Sequence, residues 1–186
     1  MCFSRAAQVD CVTFGVQHFK IRASAEKTRA NIAGYDSIDM KKESTVLNNL
    51  IQTLKDGQEG FKQAAESVRN PALKALFSDY SDQRSRFATV LQSEARRQGE
   101  TEPETTSSAT GALHRGWINL KSAVTGGDEH AILAECERGE DSAVEEYKKA
   151  LEDDLSPAAR ELVSLQFPEI KAAHDRIRSL RDAAKG

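Results

Sequence analysis

The sequence CERGEDSAVEEY, residues Cys136–Tyr147, has the apolar spacing of the middle of a long amphipathic helix. Two of its residues, Gly139 and Glu140, occupy places where an apolar residue is expected. A carboxylate in a protein interior is costly unless a cation neutralises it. Glu140 therefore marks the candidate functional site, and the rest of the chain has to supply a positive partner for it.

Four segments share the three- and four-residue spacing of apolar side chains that predicts a helix with one buried face. Two dipeptides, Asn70-Pro71 and Ser156-Pro157, each provide an N-cap followed by proline at the first helical position. Links this short predict that the helices on either side form antiparallel hairpins. The predicted helices are helix A from Ser44 to Arg69, helix B from Pro71 to Gly99, helix C after the cap Asp128, and helix D from Pro157.

A long polar connection separates helix B from helix C. It consists of a loop over Glu100–Thr110 and a short amphipathic helix over Ala112–Val124. A connection of this length can travel along the bundle, so helices B and C can run parallel, which is the one-crossover arrangement of ferritin-like bundles. We therefore predict an all-α, ferritin-like up-down four-helix bundle over residues 43–186, with a long B–C crossover that contains a short helix.

Residues 1–42 look unlike the rest of the chain. They show no sustained helical period, and they mix Gly, Ser and Asn with isolated apolar residues. Two interpretations stay open. The segment is either a disordered tail, or it lies upstream of an authentic start at Met40.

Composition and charge exclude several classes of protein. The formal net charge is −3, so no basic surface is available to bind nucleic acid nonspecifically. No apolar run approaches the roughly 20 residues that span a bilayer. The three cysteines form an odd, unpatterned set, which indicates a reducing cytoplasm rather than a disulfide framework. We therefore expect a cytoplasmic protein with no nucleic-acid partner and no membrane partner.

Polar residues near the mid-points of the other three predicted helices could join Glu140 in one interior layer. The mid-points of equal antiparallel helices meet at one level of a bundle. In helix B the pattern leaves open whether Gln83 or Arg84 faces the interior. The predicted layer consists of Gln58, Gln83, Arg84, Glu140, Lys171 and His174.

Three glycines lie near this level: Gly57, Gly60 and Gly139. Glycine inside a helix costs roughly 0.5–1 kcal/mol relative to alanine. Their presence predicts a close approach of the helices or a local adjustment of the backbone.

The first interpretation of Glu140 is that a cation of the protein neutralises it. Arg84 or Lys171 could do so through a charge-assisted hydrogen bond. In that case the layer fixes the register of the helices, and the protein needs no cofactor.

The second interpretation is that iron or another divalent metal neutralises Glu140. A di-iron bundle uses one Glu on each of two helices and Glu-x-x-His on the other two. This chain departs from the pattern, because helix B has no histidine and Lys171 stands three residues before His174. Two further acids would help only after the helices rotate, because each lies about 140° around its helix from the apolar stripe. The reduced set of candidate ligands consists of Glu140, His174, Glu59 and Asp141.

Four motifs carry a family resemblance: KDGQEGF at 55–61, GALHRGW at 111–117, RGED at 138–141 and KAAHD at 171–175. Together they resemble a bacterial family of ferritin-like four-helix-bundle proteins that is catalogued as a domain of unknown function. The resemblance covers roughly residues 43–182. It implies a bacterial cytoplasmic protein linked to stress, with a start near Met40. Because the family has no established activity, the resemblance assigns no role to any residue.

The sequence shows no Ser-His-Asp spacing, phosphate loop or dinucleotide fingerprint. We therefore interpret the chain as a non-catalytic helical bundle with a structural or protein-interaction role, which self-associates as a homo-oligomer. The alternative is a metal-binding oxidoreductase of the di-iron type with a reduced ligand set.

Overall fold

A computed structural model describes the backbone of residues 12–100, 103 and 128–184, and the side chains of these ranges from residue 40 onward. The chain divides into two units, Met1–Met40 and Lys41–Gly186. The part of the chain that is described contains four helices and no strand. None of these helices combines the length and the apolar character that a membrane span requires. The helices are α1 over Val12–Ser67, α2 over Pro71–Arg97, α3 over Glu129–Glu152 and α4 over Pro157–Ala183.

Side-chain caps begin three of the four helices at the predicted places. The Asn70 side chain accepts a hydrogen bond from the backbone N–H of Ala72 at the start of α2. Asp128 caps α3 in the same way, and the Ser156 hydroxyl caps α4. These oxygens satisfy backbone donors that have no partner inside the helix. The predicted starts of α2, α3 and α4 are therefore confirmed.

The start of α1 differs from the prediction. The helix begins at Val12, well before the expected start at Ser44. Apolar periodicity reports the burial of one helix face and not the backbone conformation itself, so it does not fix where a helix begins. The stretch before Ser44 contains no proline. The predicted start of translation near Met40 stays a prediction, and residues 1–11 lie outside the described ranges.

The helices share two apolar clusters. Along α2 and α3, the polar residues Arg84 and Glu140 lie between the members of one cluster and those of the other. Each cluster contains buried residues from all four helices. The members of cluster 1 are Leu47, Leu50, Ile51, Leu54, Ala88, Leu91, Ala95, Ala143, Tyr147, Ala150, Ala159, Val163 and Ile170. The members of cluster 2 are Phe61, Ala64, Ala65, Val68, Leu73, Phe77, Ile132, Leu133, Cys136 and Ile177.

The order of these residues along each helix gives the helix directions. In α2, Phe77 in cluster 2 precedes Leu91 in cluster 1, and in α3, Cys136 in cluster 2 precedes Tyr147 in cluster 1. Helices α2 and α3 therefore run in the same direction, whereas α1 and α4 pass from cluster 1 to cluster 2. Parallel α2 and α3 require a connection that travels the length of the helices. The predicted short helix of that connection, Ala112–Val124, lies outside the described residues.

A buried carboxylate, Glu43, links three helices at the end of the bundle where α2 ends and α4 begins. Its Oε1 atom accepts hydrogen bonds from the backbone N–H of Ser156 at 3.0 Å and from the Ser156 hydroxyl at 2.6 Å. The Gln98 amide donates to the same oxygen at 2.9 Å. Glu43 thus joins α1 to the end of α2 and the beginning of α4, and this contact helps to set the register of the helices.

Candidate functional site

A buried ion pair occupies the level between the two apolar clusters. Arg84 of α2 and Glu140 of α3 are each 1% exposed, and Arg84 Nη2 donates to Glu140 Oε2 at 2.5 Å. Of the two candidates in α2, Arg84 is the buried one and Gln83 is half-buried. The other terminal nitrogen of Arg84 donates to Gln83, whose amide donates to Glu169 of α4 at 2.8 Å. A chain of polar contacts therefore leads from the interior to the surface of α4.

Burial dominates the electrostatics of this pair. Loss of solvent raises the pKa of the Glu140 carboxyl above its ordinary value, and the charge and hydrogen bond of Arg84 oppose that rise. The guanidinium also lies over the ring of Phe61, 5.6 Å from its centre, where the ring face attracts a cation. Arg84 is thus held by an acid on α3 and by an aromatic ring on α1.

Gly57 of α1 faces Arg84, and a larger side chain could be accommodated at this position. A Cβ atom built at Gly57 would lie 3.5 Å from Arg84 Cγ, which is ordinary van der Waals contact. Arg84 Nε is buried on this side and has no hydrogen-bond partner among the described residues. Because a methyl group fits here, the packing of α1 against Arg84 does not require glycine at position 57, and the predicted close approach of the helices stays a prediction.

We expect the substitution Gly57→Ala to stabilise the protein. The methyl group fits against Arg84, and alanine favours a helix interior by roughly 0.5–1 kcal/mol over glycine. The free energy of unfolding, measured by denaturant titration, should rise by an amount in this range. A fall of the same size would mean that the approach of α1 to Arg84 is tighter than the structure describes.

A second buried polar contact lies within cluster 1. The Tyr147 hydroxyl donates to Gln166 Oε1 at 2.6 Å, and the Gln166 amide donates to the backbone carbonyl of Phe87 at 3.4 Å. Burial raises the pKa of Tyr147 strongly, so this hydroxyl stays protonated. The apolar pattern of helix C predicts only a packing role for Tyr147. The available signal was Gln166, a polar residue on the apolar stripe of helix D.

The predicted interior layer is narrower than expected, because Lys171 does not belong to it. Lys171 is exposed and pairs with Asp175 at 2.6 Å, so the prediction that it could neutralise Glu140 is wrong. Ala173 is the residue that α4 buries at this level, and two residues correspond to roughly 200° around a helix. Gln58 is only half-buried and accepts a hydrogen bond from Lys55 at 3.4 Å.

The predicted metal ligands do not assemble as one set. Glu140 is engaged by Arg84, and Glu59 is exposed and accepts a hydrogen bond from Gln63 at 3.0 Å. Asp141 and His174 do come together, with 2.8 Å between Asp141 Oδ1 and His174 Nε2.

One acid that the sequence analysis missed joins Asp141 and His174. Glu137 offers an oxygen within 4.8 Å of ligand atoms from both of them. The available signal was its position four residues before Asp141, which places both acids on one face of α3. Glu137 is buried, whereas Asp141 is exposed.

The side chains between the clusters do not fit a di-iron centre. Such a centre requires carboxylates and histidines that converge from all four helices. Here the interior position opposite Glu140 holds a guanidinium, which is always positively charged and donates hydrogen bonds without accepting any. A permanent cation at this place repels a second cation, and Glu59 points away from it to the solvent.

One comparison with known proteins bears on this chain. A family model described as Domain of unknown function (DUF2383) matches residues 42–153. The matched range includes Arg84, Glu140 and Asp141, and it ends before α4 and His174. No curated protein matches the chain.

Proposed function

Because the chain belongs to the family described as Domain of unknown function (DUF2383), a description that names no activity, we propose a function from the buried site. The protein is a non-catalytic, ferritin-like helical bundle with a structural or protein-interaction role. The observation that supports this proposal is the ion pair of Arg84 and Glu140, each 1% exposed. A cation of the protein takes the place that a metal would need, so the layer serves the register of the helices.

The ferritin-like part of the proposal rests on helix directions. Helices α2 and α3 run in the same direction between the two clusters, which is the arrangement of bundles with one long crossover. The bacterial, cytoplasmic location and the link to stress that the resemblance implies belong to the same proposal. The buried, free Cys136 is compatible with a reducing compartment.

The chemistry of the interior also supports a non-catalytic role. Burial raises the pKa of the Cys136 thiol well above its ordinary value, and the neighbouring charges of Glu140 and Glu135 act in the same direction. A thiol in such surroundings stays protonated and is a poor nucleophile. The carboxyl of Glu140 is likewise paired with Arg84 through Oε2 and is only 1% exposed. Neither group is therefore suited to attack a substrate.

Iron uptake and oxidation test this proposal. Fe²⁺ is added anaerobically to the purified full-length protein, oxygen is admitted, and bound iron and ferric absorbance are followed. We expect the wild type and Glu140→Gln to behave alike and to oxidise iron no faster than buffer. Stoichiometric iron oxidation that Glu140→Gln abolishes would overturn the proposal. Glu140→Asp, which keeps the charge, controls for loss of fold, and circular dichroism monitors helix content.

Two exposed apolar side chains support the interaction role and the proposed self-association. Val90 of α2 is 40% exposed and Leu165 of α4 is 66% exposed. These two helices are neighbours, joined by the contact of Gln83 with Glu169. Apolar side chains on adjoining helices lose contact with water when a second protein covers them.

We expect Leu165→Ser combined with Val90→Ser to weaken self-association. Light scattering coupled to gel filtration, over a range of protein concentrations, measures the mass of each species. The wild type should exceed the mass of one chain and the double variant should approach it, with exposed Ala158→Ser as the control. A wild type that stays monomeric at every concentration contradicts self-association, and an unchanged oligomer in the double variant contradicts this surface.

A further inference from the structure

We infer that Glu137 and Asp141 of α3 and His174 of α4 form a site for one divalent transition-metal ion, of the class that Zn²⁺ represents. One oxygen from each acid and one ring nitrogen lie within 4.8 Å of one another. Ligands that bind Zn²⁺ at about 2.0–2.2 Å in a tetrahedron stand a little over 3 Å apart. Small side-chain rotations, above all of the exposed Asp141, would close the remaining distance. This inference is independent of the proposed function, because it uses neither Arg84 nor Glu140.

The helices themselves bring these three residues together. A spacing of four residues places Glu137 and Asp141 on one face of α3. Helix α4 runs antiparallel to α3, and His174 reaches across so that its Nε2 atom lies 2.8 Å from Asp141 Oδ1. The nitrogen that would bind the ion therefore already faces a carboxylate that would share it.

A second observation supports a metal ligand role for His174. Its other ring nitrogen, Nδ1, lies 3.0 Å from Asp175 Oδ1. Metal-binding histidines usually donate their second N–H to a carboxylate, which fixes the tautomer and the ring orientation. Lys171 holds Asp175 in turn at 2.6 Å. An ion bound to Nε2 would take the place of a proton between Nε2 and Asp141, while the proton on Nδ1 stays with Asp175.

The exposure of the three ligands allows an ion to enter and be held. The side chain of Asp141 is 63% exposed, that of His174 is 13% exposed, and Glu137 is buried. An ion would approach from the solvent on the Asp141 side, and water would supply the fourth ligand of a tetrahedral site. One imidazole favours zinc-like ions over Mg²⁺ and Ca²⁺, which prefer oxygen ligands alone.

Arg181 competes with the ion for Glu137. An Nη1 atom of Arg181 pairs with Glu137 Oε2 in the structure. The same guanidinium also pairs with Asp182, at 2.7 Å from Nη2. Binding of a metal therefore replaces one partner of Glu137 by another, and Arg181 keeps Asp182 when it is displaced. Removal of the guanidinium should strengthen metal binding.

Isothermal titration of the metal-free full chain with Zn²⁺ tests the site. We expect one ion per chain and affinity at least tenfold weaker in Asp141→Asn and His174→Ala. Arg181→Gln should bind several-fold more tightly than the wild type. The matched controls are Glu145→Gln, an exposed acid of α3, and His130→Gln, a histidine outside the cluster. Both should bind as the wild type does.

Co²⁺ spectra separate this site from the cysteines. A site of one nitrogen and two carboxylates gives d–d absorption without the thiolate charge-transfer band that a cysteine ligand produces. We expect that spectrum in the wild type and its loss in Asp141→Asn. The Asp141 side chain is 63% exposed, and circular dichroism checks that the helix content of the variant is unchanged. Three results would each overturn the inference: no zinc binding by the wild type, wild-type affinity in Asp141→Asn and His174→Ala, or a thiolate band in the Co²⁺ spectrum. Iron oxidation that depends on Glu140 would contradict the proposed function but not this metal site.

Discussion

Replacement of Arg84 by methionine is expected to lower the free energy of unfolding by about 3–4 kcal/mol at pH 7. The substitution leaves Glu140 buried, at 1% exposure, without its cation. The carboxyl can escape this only by taking up a proton. Its unfolded-state pKa is about 4.3, so protonation at pH 7 costs about 1.4 kcal/mol for each of nearly three pH units. Denaturant titration with a linear extrapolation measures the loss.

The loss caused by Arg84→Met should shrink as the pH falls. Burial already raises the pKa of Glu140 in the wild type, with Arg84 opposing the rise, and removal of Arg84 raises it further. A carboxyl whose folded-state pKa is raised adds stability below its unfolded-state pKa, and loses this contribution as the pH rises through the folded-state pKa. Between pH 7 and pH 5.5 the difference between variant and wild type should therefore fall, by at most about 1.4 kcal/mol per pH unit.

An exposed ion pair provides the control for this prediction. Lys149 pairs with Glu146 at 2.8 Å on the surface of α3, where the Lys149 side chain is 55% exposed. Exposed pairs contribute about 0–1 kcal/mol, so Lys149→Met should change stability little at any pH. If Arg84→Met lowers the free energy of unfolding by as little as Lys149→Met does, Glu140 is not left buried without a cation in the variant.

The partner of Glu140 could be anticipated because two different constraints meet at Arg84. Helical periodicity puts Arg84 on the inner stripe of helix B, and a buried acid needs a cation. Periodicity alone is coarser, because steps of three and four residues leave the inner face uncertain by about one residue, or roughly 100°. That uncertainty kept Gln83 open, and it put Lys171, which lies one residue after the buried Ile170, wrongly in the interior.

Glu137 could not be found in the same way. It lies beside the buried stripe rather than within it, and Arg181 of α4 pairs with it. Such a contact depends on how two helices are rotated relative to each other, which the pattern of a single helix does not contain. The pairing of Asp141 with His174 depends on the same rotation. The cluster of Glu137, Asp141 and His174 therefore depends on the packing between helices. The pair of Arg84 and Glu140, in contrast, can be predicted from the patterns within single helices.

Helix α1 shows that a helix can extend beyond the apolar stripe that predicts it. Its residues before Ser44 lack an apolar stripe, although the backbone is helical from Val12. A stripe reports burial and not backbone conformation, so its absence does not predict the end of a helix. From Leu47 onward the stripe is present, and those side chains are buried in clusters 1 and 2.

Replacement of Glu140 by leucine is expected to lower the free energy of unfolding by about 3–5 kcal/mol, which is the usual cost of stranding one member of a buried pair. In contrast to Arg84→Met, this loss should not shrink between pH 7 and pH 5.5, because the raised pKa of Glu140 can only add stability to the wild type as the pH falls. The stranded group is now the guanidinium of Arg84, which cannot release its proton in this range. Its contact with Gln83 and the ring of Phe61 remain and limit the loss.

The double variant Arg84→Met with Glu140→Leu completes the cycle and separates pairing from packing. Apolar residues of similar volume often replace a buried ion pair with little loss or with a gain in stability, so the double variant should be more stable than either single variant. The coupling energy should then exceed the 0.5 kcal/mol that independent sites show. If the losses of the two single variants add in the double variant, Arg84 and Glu140 do not stabilise one another. A loss for Glu140→Leu that falls at low pH would show that another acid near Arg84 takes its place.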